Sequence, residues 1–587
     1  LLDTTFTEEL KEFHISRAAA VYEDLQVDRA ITFPQIDLTL RPGDRFLTLD
    51  SVVNFAPSVD GTEGGQAGLS ARYDIQEKVL DNTLTFQKFN PFLWAAVMDD
   101  TALDVSASRV LLDGETAFRM AEDLRITQAE AGITASRGRL VFTELYAQPF
   151  ALDEYILNAS YDSANRFISF NENRLRAYGL DIVLDAILPL PRAGGETEIA
   201  TLSIAAQNVP LPLTEPAYPD QFEHENIYQW LTEKLAAGQI DNLTIEFIIS
   251  LLRDEEGALD ADLADMRGDL DFTGLTAIYK DTLAPVEQAT GRVTISYAED
   301  LISVSAPTGV IRSMNASDIA VTLSGLFAPT PGQAEISFGL EGALPDLFSY
   351  LADEPIGLAD EYTFDPTQTQ GRLNAQVSVN MSTAADVPME DIEIGVTGTG
   401  RDIVIPGLVQ GLTVSTQEAA VTIEEGLITA NGRGTLDGRA TEFTWQQYMM
   451  SEGKPFKMKV EASGTSDTAL RRHFGVEIDD YATGPAPLNV TYTSFRDGRA
   501  EMFGRADLTR STLMFTPLDY VKAPGTAAQG SWRASFLNGQ IQRIEKLNIT
   551  GADIKIEDAA LSFERGELHT GNFPRATIAR SRASADF

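Results

Sequence analysis

No cysteine occurs anywhere in the 587 residues. That absence excludes a disulfide scaffold, a thiolate zinc site and a cysteine nucleophile. It is compatible with an oxidising compartment such as the periplasm. Histidine is nearly as scarce, with four in all: His14, His224, His473 and His569. They are far apart, and none forms a ligand spacing such as H-E-x-x-H. No G-x-S-x-G elbow is present, so no catalytic, cofactor or metal residues are assigned and an enzyme is not expected. No run of about 18 apolar residues exists, so nothing here spans a bilayer as a helix. The opening "LLDTTFTEELKEF" lacks a basic region followed by an apolar one and is not a signal peptide; any export or anchoring signal is expected outside this sequence. Positive charge is also short: 45 Lys and Arg against 87 Asp and Glu give a formal charge of −42. Such a chain repels phosphate backbones, which argues against a nucleic-acid partner, and it disfavours broad adhesion to anionic lipid surfaces.

What is present is period-two alternation. A hydrophobic content of 43% is enough for a folded chain. "LNAQVSVNM" places Leu373, Ala375, Val377, Val379 and Met381 on one face and Asn374, Gln376, Ser378 and Asn380 on the other. "FKMKVEASG" sets Phe456, Met458, Val460 and Ala462 against Lys457, Lys459 and Glu461. The pattern returns in "LTIEFII" from Leu243, "RVTISYA" from Arg292, "DIEIGVTG" from Asp391, "AAVTIEEG" from Ala419 and "DIKIEDAALSFERG" from Asp553. Strict alternation marks a sheet with one apolar and one polar face. Turn signals such as "LDGR" at Leu436 and "RDGR" at Arg496 separate the strands at short spacing, the signature of antiparallel meanders. The glycine-rich "GTGRDIVIPG" and "NGRGTLDG" open no helix and read as hairpin turns, not phosphate loops. The acidic run from Asp254 to Asp271 lacks the spacing and final Glu of an EF-hand and reads as a solvated loop.

The strands are interrupted at a regular interval. "NPFLWAAVMDD" offers Asn90 as a cap and Pro91 at the first helical position. In "YQWLTEKLAAGQIDNLTIEF", Ile227, Trp230, Leu231 and Leu235 share a helical face and Gly238 suits a left-handed stop. That helix is expected to pack Trp230 on the rim of the sheet. "LPDLFSYLADEP" is bracketed by Pro345 and Pro355, and "TSDTALRRHFG" has Thr465 or Ser466 as cap and Gly475 as stop. The starts near 91, 219, 345 and 466 are 128, 126 and 121 residues apart. The expected organisation is a leading segment, 1–90, which carries a further capping-box helix from Thr5 to Glu8, followed by modules 91–215, 216–344, 345–464 and 465–587. The chain exceeds the roughly 250–300 residues at which a single core stops growing, but a repeat array escapes that limit. The fold class is therefore all-β: a long, continuous, twisted and mostly antiparallel sheet, curled into an open apolar groove, with a few short capping helices.

Several stretches, in order, resemble one family. They are "IYQWLTEKLAAGQIDNLTIEF", "FTGLTAIYKDTLAPVEQATGRVTISYAEDLISVSAPTG" with Tyr279, Pro285 and Gly291, "ALPDLFSYLADEPIGLADEYTFDPTQTQGRLNAQVSVNM", "GVEIDDYATGPAPLNVTYT" and "GRADLTRSTLMFTPLDYVKAPGTAAQGSW". Over about residues 220–580 the chain resembles the AsmA-like superfamily, in particular the long YhdP-type proteins of Gram-negative envelopes. The resemblance implies a trough-like sheet anchored in the inner membrane and crossing the periplasm, with possible outer-membrane contact. It also implies phospholipids as the partner, carried between the two membranes with their acyl chains in the trough. It brings no catalytic residues. The candidate groove lining is Leu373, Ala375, Val377, Val379, Ile392, Ile394, Val396, Val421, Ile423, Met458 and Val460. Alternation alone does not separate such a trough from a filled sandwich core, and the competing function is a structural envelope tether or assembly factor.

Overall fold

The computed structural model describes residues 10–24, 29–56, 64–91, 108–142, 146, 148–213, 229–327, 330–354, 356–358, 362, 364–384, 387–450, 452–474, 476–516, 520–564, 567–578 and 581–586. Strand accounts for 70% of the chain and helix for 6%, so there is too little helix to lay a second layer over so much sheet. All but three of the strands belong to one antiparallel sheet that does not close into a barrel. By internal contacts the chain divides into two compact units, Leu1–Tyr279 with Val286–Ser305, and Lys280–Pro285 with Ala306–Phe587.

The first unit is a meander of long strands. Its register carries one apolar row from strand to strand: Leu69, Leu84, Thr116, Ala131, Ala159, Phe170, Ala186, Leu202, Phe247 and Met266 are successive partners. Directly opposed residues in an antiparallel pair share a face, so only Thr116 interrupts that line. Two expectations change here. The strand Leu235–Arg253 begins where the helix was expected to continue, and among the described residues a π-helical turn, Trp230–Lys234, precedes it. Of the expected helical face Trp230 and Leu231 lie in that turn, Ile227 lies outside the described residues, and Leu235 is drawn into the sheet by pairing with Ala277. Gly238 is a bulge within that strand at φ 118°, where a Cβ would come within 2.7 Å of the Leu275 backbone, and not a helix stop. Trp230 is 42% exposed and is no buried anchor. The acidic run is not a loop either. After a turn in which the Asp254 carboxylate accepts from the Ala258 N–H, it becomes the strand Leu259–Ala277, with Asp260 and Asp262 exposed. The helix expected from Thr5, the body of the one expected at 91 and the lead-in to the one at 219 lie outside the described residues.

The second unit contains the two short α-helices that the proline and glycine punctuation predicts. Helix α1, Leu344–Leu351, has Pro345 in its first turn, and helix α2, Thr468–His473, starts one or two residues later than expected. Its cap is Asp467, whose carboxylate accepts from the Leu470 N–H at 2.8 Å, and not Thr465 or Ser466. Those two residues finish the preceding strand, Met458–Ser466, and are paired there with Pro487 and Ala486. The "LDGR" signal is a two-residue hairpin with Asp437 at φ 49° and Gly438 at φ 80°, the left-handed pair a type I′ turn requires. "NGRGTLDG" ends in that same turn, but its first two glycines and those that open "GTGRDIVIPG" are strand residues. Gly398 and Gly400 lie inside the strand Glu393–Val409, and Gly432 and Gly434 inside Leu427–Leu436.

Because the meander alternates direction, every second connection falls on the same margin of the sheet. The three long connections of this unit, 344–369, 467–485 and 508–527, all fall on one margin. They carry α1, α2 and a small sheet of Ala482–Thr483, Thr512–Phe515 and Tyr520–Lys522. That small sheet covers Ile554, Ile556, Ala559 and Ile578 with Tyr520 and Phe515. It is tied down by Lys522, whose buried ammonium donates to the carbonyl of Ser511 at 2.8 Å. The opposite margin carries only turns of at most ten residues, such as 425–426, 495–498 and 538–539.

Candidate functional site: the apolar face of the second unit

The register of thirteen strands lines up Leu340, Ala375, Gly398, Val421, Ala430, Trp445, Val460, Tyr492, Met502, Ala534, Ile544, Leu561 and Gly571 as successive partners. No member bears a charge, and the tyrosine hydroxyl is the only oxygen. One residue along each strand, the neighbouring row on the other face runs Gln376, Thr397, Thr422, Thr429, Gln446, Lys459, Thr493, Glu501, Ser535 and Arg543. The polar face is laced with cross-strand ion pairs, among them Arg433 with Glu442 at 3.1 Å and Arg533 with Glu501 at 2.6 Å. These exposed pairs are individually weak, but they favour the register that keeps the two faces unmixed.

The expected lining residues fall largely together. Leu373, Ala375, Val377 and Val379 of the strand Gln370–Ser382 oppose Gly400, Gly398, Val396 and Ile394 of the next strand. Val421 and Ile423 follow opposite Gly398 and Val396. Val460 and Met458 share this face but stand beyond two intervening strands. Ile392 closes the turn Met389–Asp391 and precedes the paired strand, so it is half-buried outside the ladder. The set is not uniform in cover. Leu373 and Ala375 are 8% and 3% exposed because Leu344, Leu347 and Phe348 of α1 pack over them. Val377, Val379, Ile394, Val396, Val421, Ile423, Met458 and Val460 are only half-buried. α1 is in turn held by aromatic contacts of Phe348 with Tyr362 and Phe364, and the Tyr362 hydroxyl donates to the Phe348 carbonyl at 3.0 Å. Burial pushes that phenol up to about 12, so it stays a donor at neutral pH.

Large side chains of this face, Trp445, Trp532, Tyr492 and Phe443, were not singled out in the sequence. The signal was there, since "EFTWQQY" alternates Phe443 and Trp445 with Glu442, Thr444 and Gln446. Glycine makes room for such rings. A Cβ on Gly504 would lie 2.2 Å from the Trp532 ring, which folds across it. Burial also raises the Tyr492 phenol above its ordinary value.

The chemistry on offer is therefore apolar contact area. Among the described residues no cluster of three or more His, Asp or Glu is placed to hold a metal. His473 ends α2, where its Nε2 lies 2.9 Å from the Gln410 carbonyl; His14 pairs with Thr39, and His224 lies outside the described residues. A hollow lined by Ser463, Asn489, Arg505, Asp507, Ser531 and Asn548 sits on the opposite, polar face and converges on no reacting centre. No described helix is long and apolar enough to cross a membrane. No protein-family model, curated protein or solved structure matches the chain.

Proposed function

We propose that the chain is a conduit for phospholipids, with acyl chains lying on the apolar face and headgroups in solvent. The observation that carries the reading is the uncharged row across thirteen strands, nine of whose members are half-buried while Leu340, Ala375, Ala534 and Gly571 are buried. Apolar burial is worth roughly 25 cal/mol per Å², about 0.8 kcal/mol for each methylene. A lipid tail gains this wherever the face is uncovered, and successive uncovered positions offer nearly the same gain. Movement along the face then meets no large step, and no specific pocket is needed. The resemblance to AsmA-like proteins supports the same reading and suggests a place in the periplasm between the inner and outer membranes. A second reading, a structural tether with a filled core, draws on the covered margin, where α1 already buries Leu373 and Ala375.

Photo-crosslinking separates the two. A benzophenone side chain at Val460, on the apolar face, should capture phospholipid from cell membranes, while the same group at Thr429, on the polar face, should not. Mass spectrometry of gently extracted protein should find phospholipid bound. If Val460 captures only neighbouring strands of the protein and no lipid co-purifies, the face is filled and the tether reading stands.

A further inference from the structure

The apolar face changes character at one place on its turn-bearing margin. One rung outward from the uncharged row, the partners run Val377, Val396, Ile423, Ile428, and then Gln447, Met458 and Ser494. A carboxamide and a hydroxyl thus enter an otherwise apolar line between Trp445 and Tyr492 and the edge. The Ser494 hydroxyl reaches only a long 3.5 Å contact with the Met458 carbonyl. Beyond them come the turns 449–457 and 495–498, where Lys454, Lys457 and Arg496 stand with Glu452 and Asp497, and Asp497 is already paired with Arg499 of the next strand at 2.6 Å. Of the other connections of this margin, 325–332, 383–392, 425–426 and 538–539 hold no cation, and 565–566 holds only Arg565, between Glu564 and Glu567. In a chain of charge −42 this is a local reversal of sign. The two turns are neighbours, since the Lys457 N–H donates to the Ser494 carbonyl at 2.8 Å. Arg496 meets Glu452 only at 3.7 Å, with both side chains more than half exposed, and the Lys454 ammonium stands 5.3 Å over the Tyr448 ring.

Successive rungs on one face are about 7 Å apart. From the uncharged row outward the order is hydrocarbon, hydrogen-bonding amide and hydroxyl, then cation. A glycerophospholipid has the same order: acyl chain, ester carbonyl, phosphate. We infer that this margin is a headgroup site for anionic phospholipids. Their tails lie on Trp445, Val460 and Tyr492, their ester carbonyls meet Gln447 and Ser494, and their phosphate displaces Glu452 to pair with Arg496 and Lys454. The inference rests on the conduit reading and adds to it a preferred exit for the headgroup and a preference for net negative charge. Charge-assisted bonds to a phosphate are the strong ones available here, and a weak exposed carboxylate partner is readily exchanged.

The test uses the full chain with the benzophenone side chain at Val460. It is exposed to vesicles holding equal amounts of phosphatidylglycerol and phosphatidylcholine with the same acyl chains. The expected capture ratio favours phosphatidylglycerol by about twofold to fivefold, because both lipids offer the phosphate and only phosphatidylglycerol keeps a net negative charge at this exposed site. Arg496→Gln with Lys454→Gln should bring the ratio to about one by lowering phosphatidylglycerol capture, with the melting temperature unchanged, while Arg505→Gln on the polar face leaves the ratio as it was. If the double variant lowers the melting temperature, the native protein is read against ionic strength instead, and its preference must fade from 50 to 500 mM salt, by roughly the shortening of the screening length. Equal capture of both lipids by the native protein overturns the headgroup site but leaves the conduit standing. A preference that survives the double variant or high salt also overturns it. Competition by chain-free glycerol phosphate as effective as that of the lipid would assign the cations to free phosphate esters. Absence of any lipid capture at Val460 is a different outcome, the failure of the conduit itself.

Discussion

Two neighbouring positions on one strand test whether the apolar face is open. Ala375 and Val377 both point to it, one rung apart, and their partners are Leu340 and Gly398 for the first and Phe338 and Val396 for the second. Ala375 is 3% exposed under α1, whereas Val377 is half-buried. An aspartate at Ala375 would be trapped among Leu344, Leu347 and Leu373 with no cation in reach. That places a carboxylate in a dry site and should cost about 4 kcal/mol or more. An aspartate at Val377 forfeits only part of a valine's burial, roughly 1 kcal/mol, and its carboxylate can reach water along an uncovered face. Val377→Asp should therefore cost about 1–2 kcal/mol. The gap of some 2–3 kcal/mol is read by urea titration followed through amide exchange in the strand Gln370–Ser382, which reports on this part of the sheet and not on the first unit. Lipid crosslinking at Val396 should fall sharply in Val377→Asp although its fold survives. Equal and large destabilisation at both positions would refute the open face, because only a filled core penalises the two alike.

Further outcomes follow from individual contacts. Asp467→Asn keeps an oxygen for the Leu470 N–H and loses the ion pair with Arg439, so it should destabilise α2 by only about 0.5 kcal/mol, the side chain being nearly half exposed. Arg439 at 2.8 Å, and then the Leu470 N–H, hold the Asp467 carboxyl below its ordinary range. Its contribution is therefore present in full above the unfolded value of about 4 and is lost as pH falls through the lower folded value; exchange protection in α2 should differ between wild type and variant at pH 6 and converge in acid. Gly504→Ala drives a methyl into the Trp532 ring and should cost about 1–3 kcal/mol, with a shift in tryptophan emission. Lys522→Met removes the donor to the Ser511 carbonyl and should loosen the small sheet by about 1–3 kcal/mol, seen as faster exchange at Tyr520–Lys522. Trp230→Ala should cost only about 1 kcal/mol or less, since the ring is 42% exposed, well short of the 3–5 kcal/mol of a buried tryptophan.

Strand identity and face were legible in the sequence because alternation is a local property. "LNAQVSVNM" and "FKMKVEASG" fold with the faces their spelling predicts. What was not legible depends on partners far along the chain. The strand from Gln239 is legible, but nothing in "WLTEKLAAGQID" reveals that Ala277, Thr276 and Leu211 will pair with Leu235, Ala237 and Gly238 and start it four residues earlier. Ser466 looks as good a cap as Asp467 until Ala486 pairs with it and takes it into the sheet. Gly398, Gly400, Gly432 and Gly434 look like turn residues because spacing does not show the side chains that fill the room they leave; over Gly400 it is Ile403. The candidate lining was legible as a face, but the difference between Ala375 and Val377 was not. It is made by a helix that begins 31 residues before Ala375 in the chain, at Leu344.

The alternation of strand direction has a consequence for how such a chain can change length. Removing one hairpin deletes two rungs and leaves every later strand with its orientation, its faces and its margin intact. Removing one strand reverses all that follow: α1, α2 and the small sheet would be delivered to the opposite edge from strands deleted upstream. Growth and shortening are thus quantised in pairs of strands, about 9.6 Å of sheet at a time. A natural variant or an engineered ruler built on this sequence should differ from it by whole hairpins. A single-strand deletion between Gln370 and Glu424 should misfold even if each remaining strand keeps its spelling.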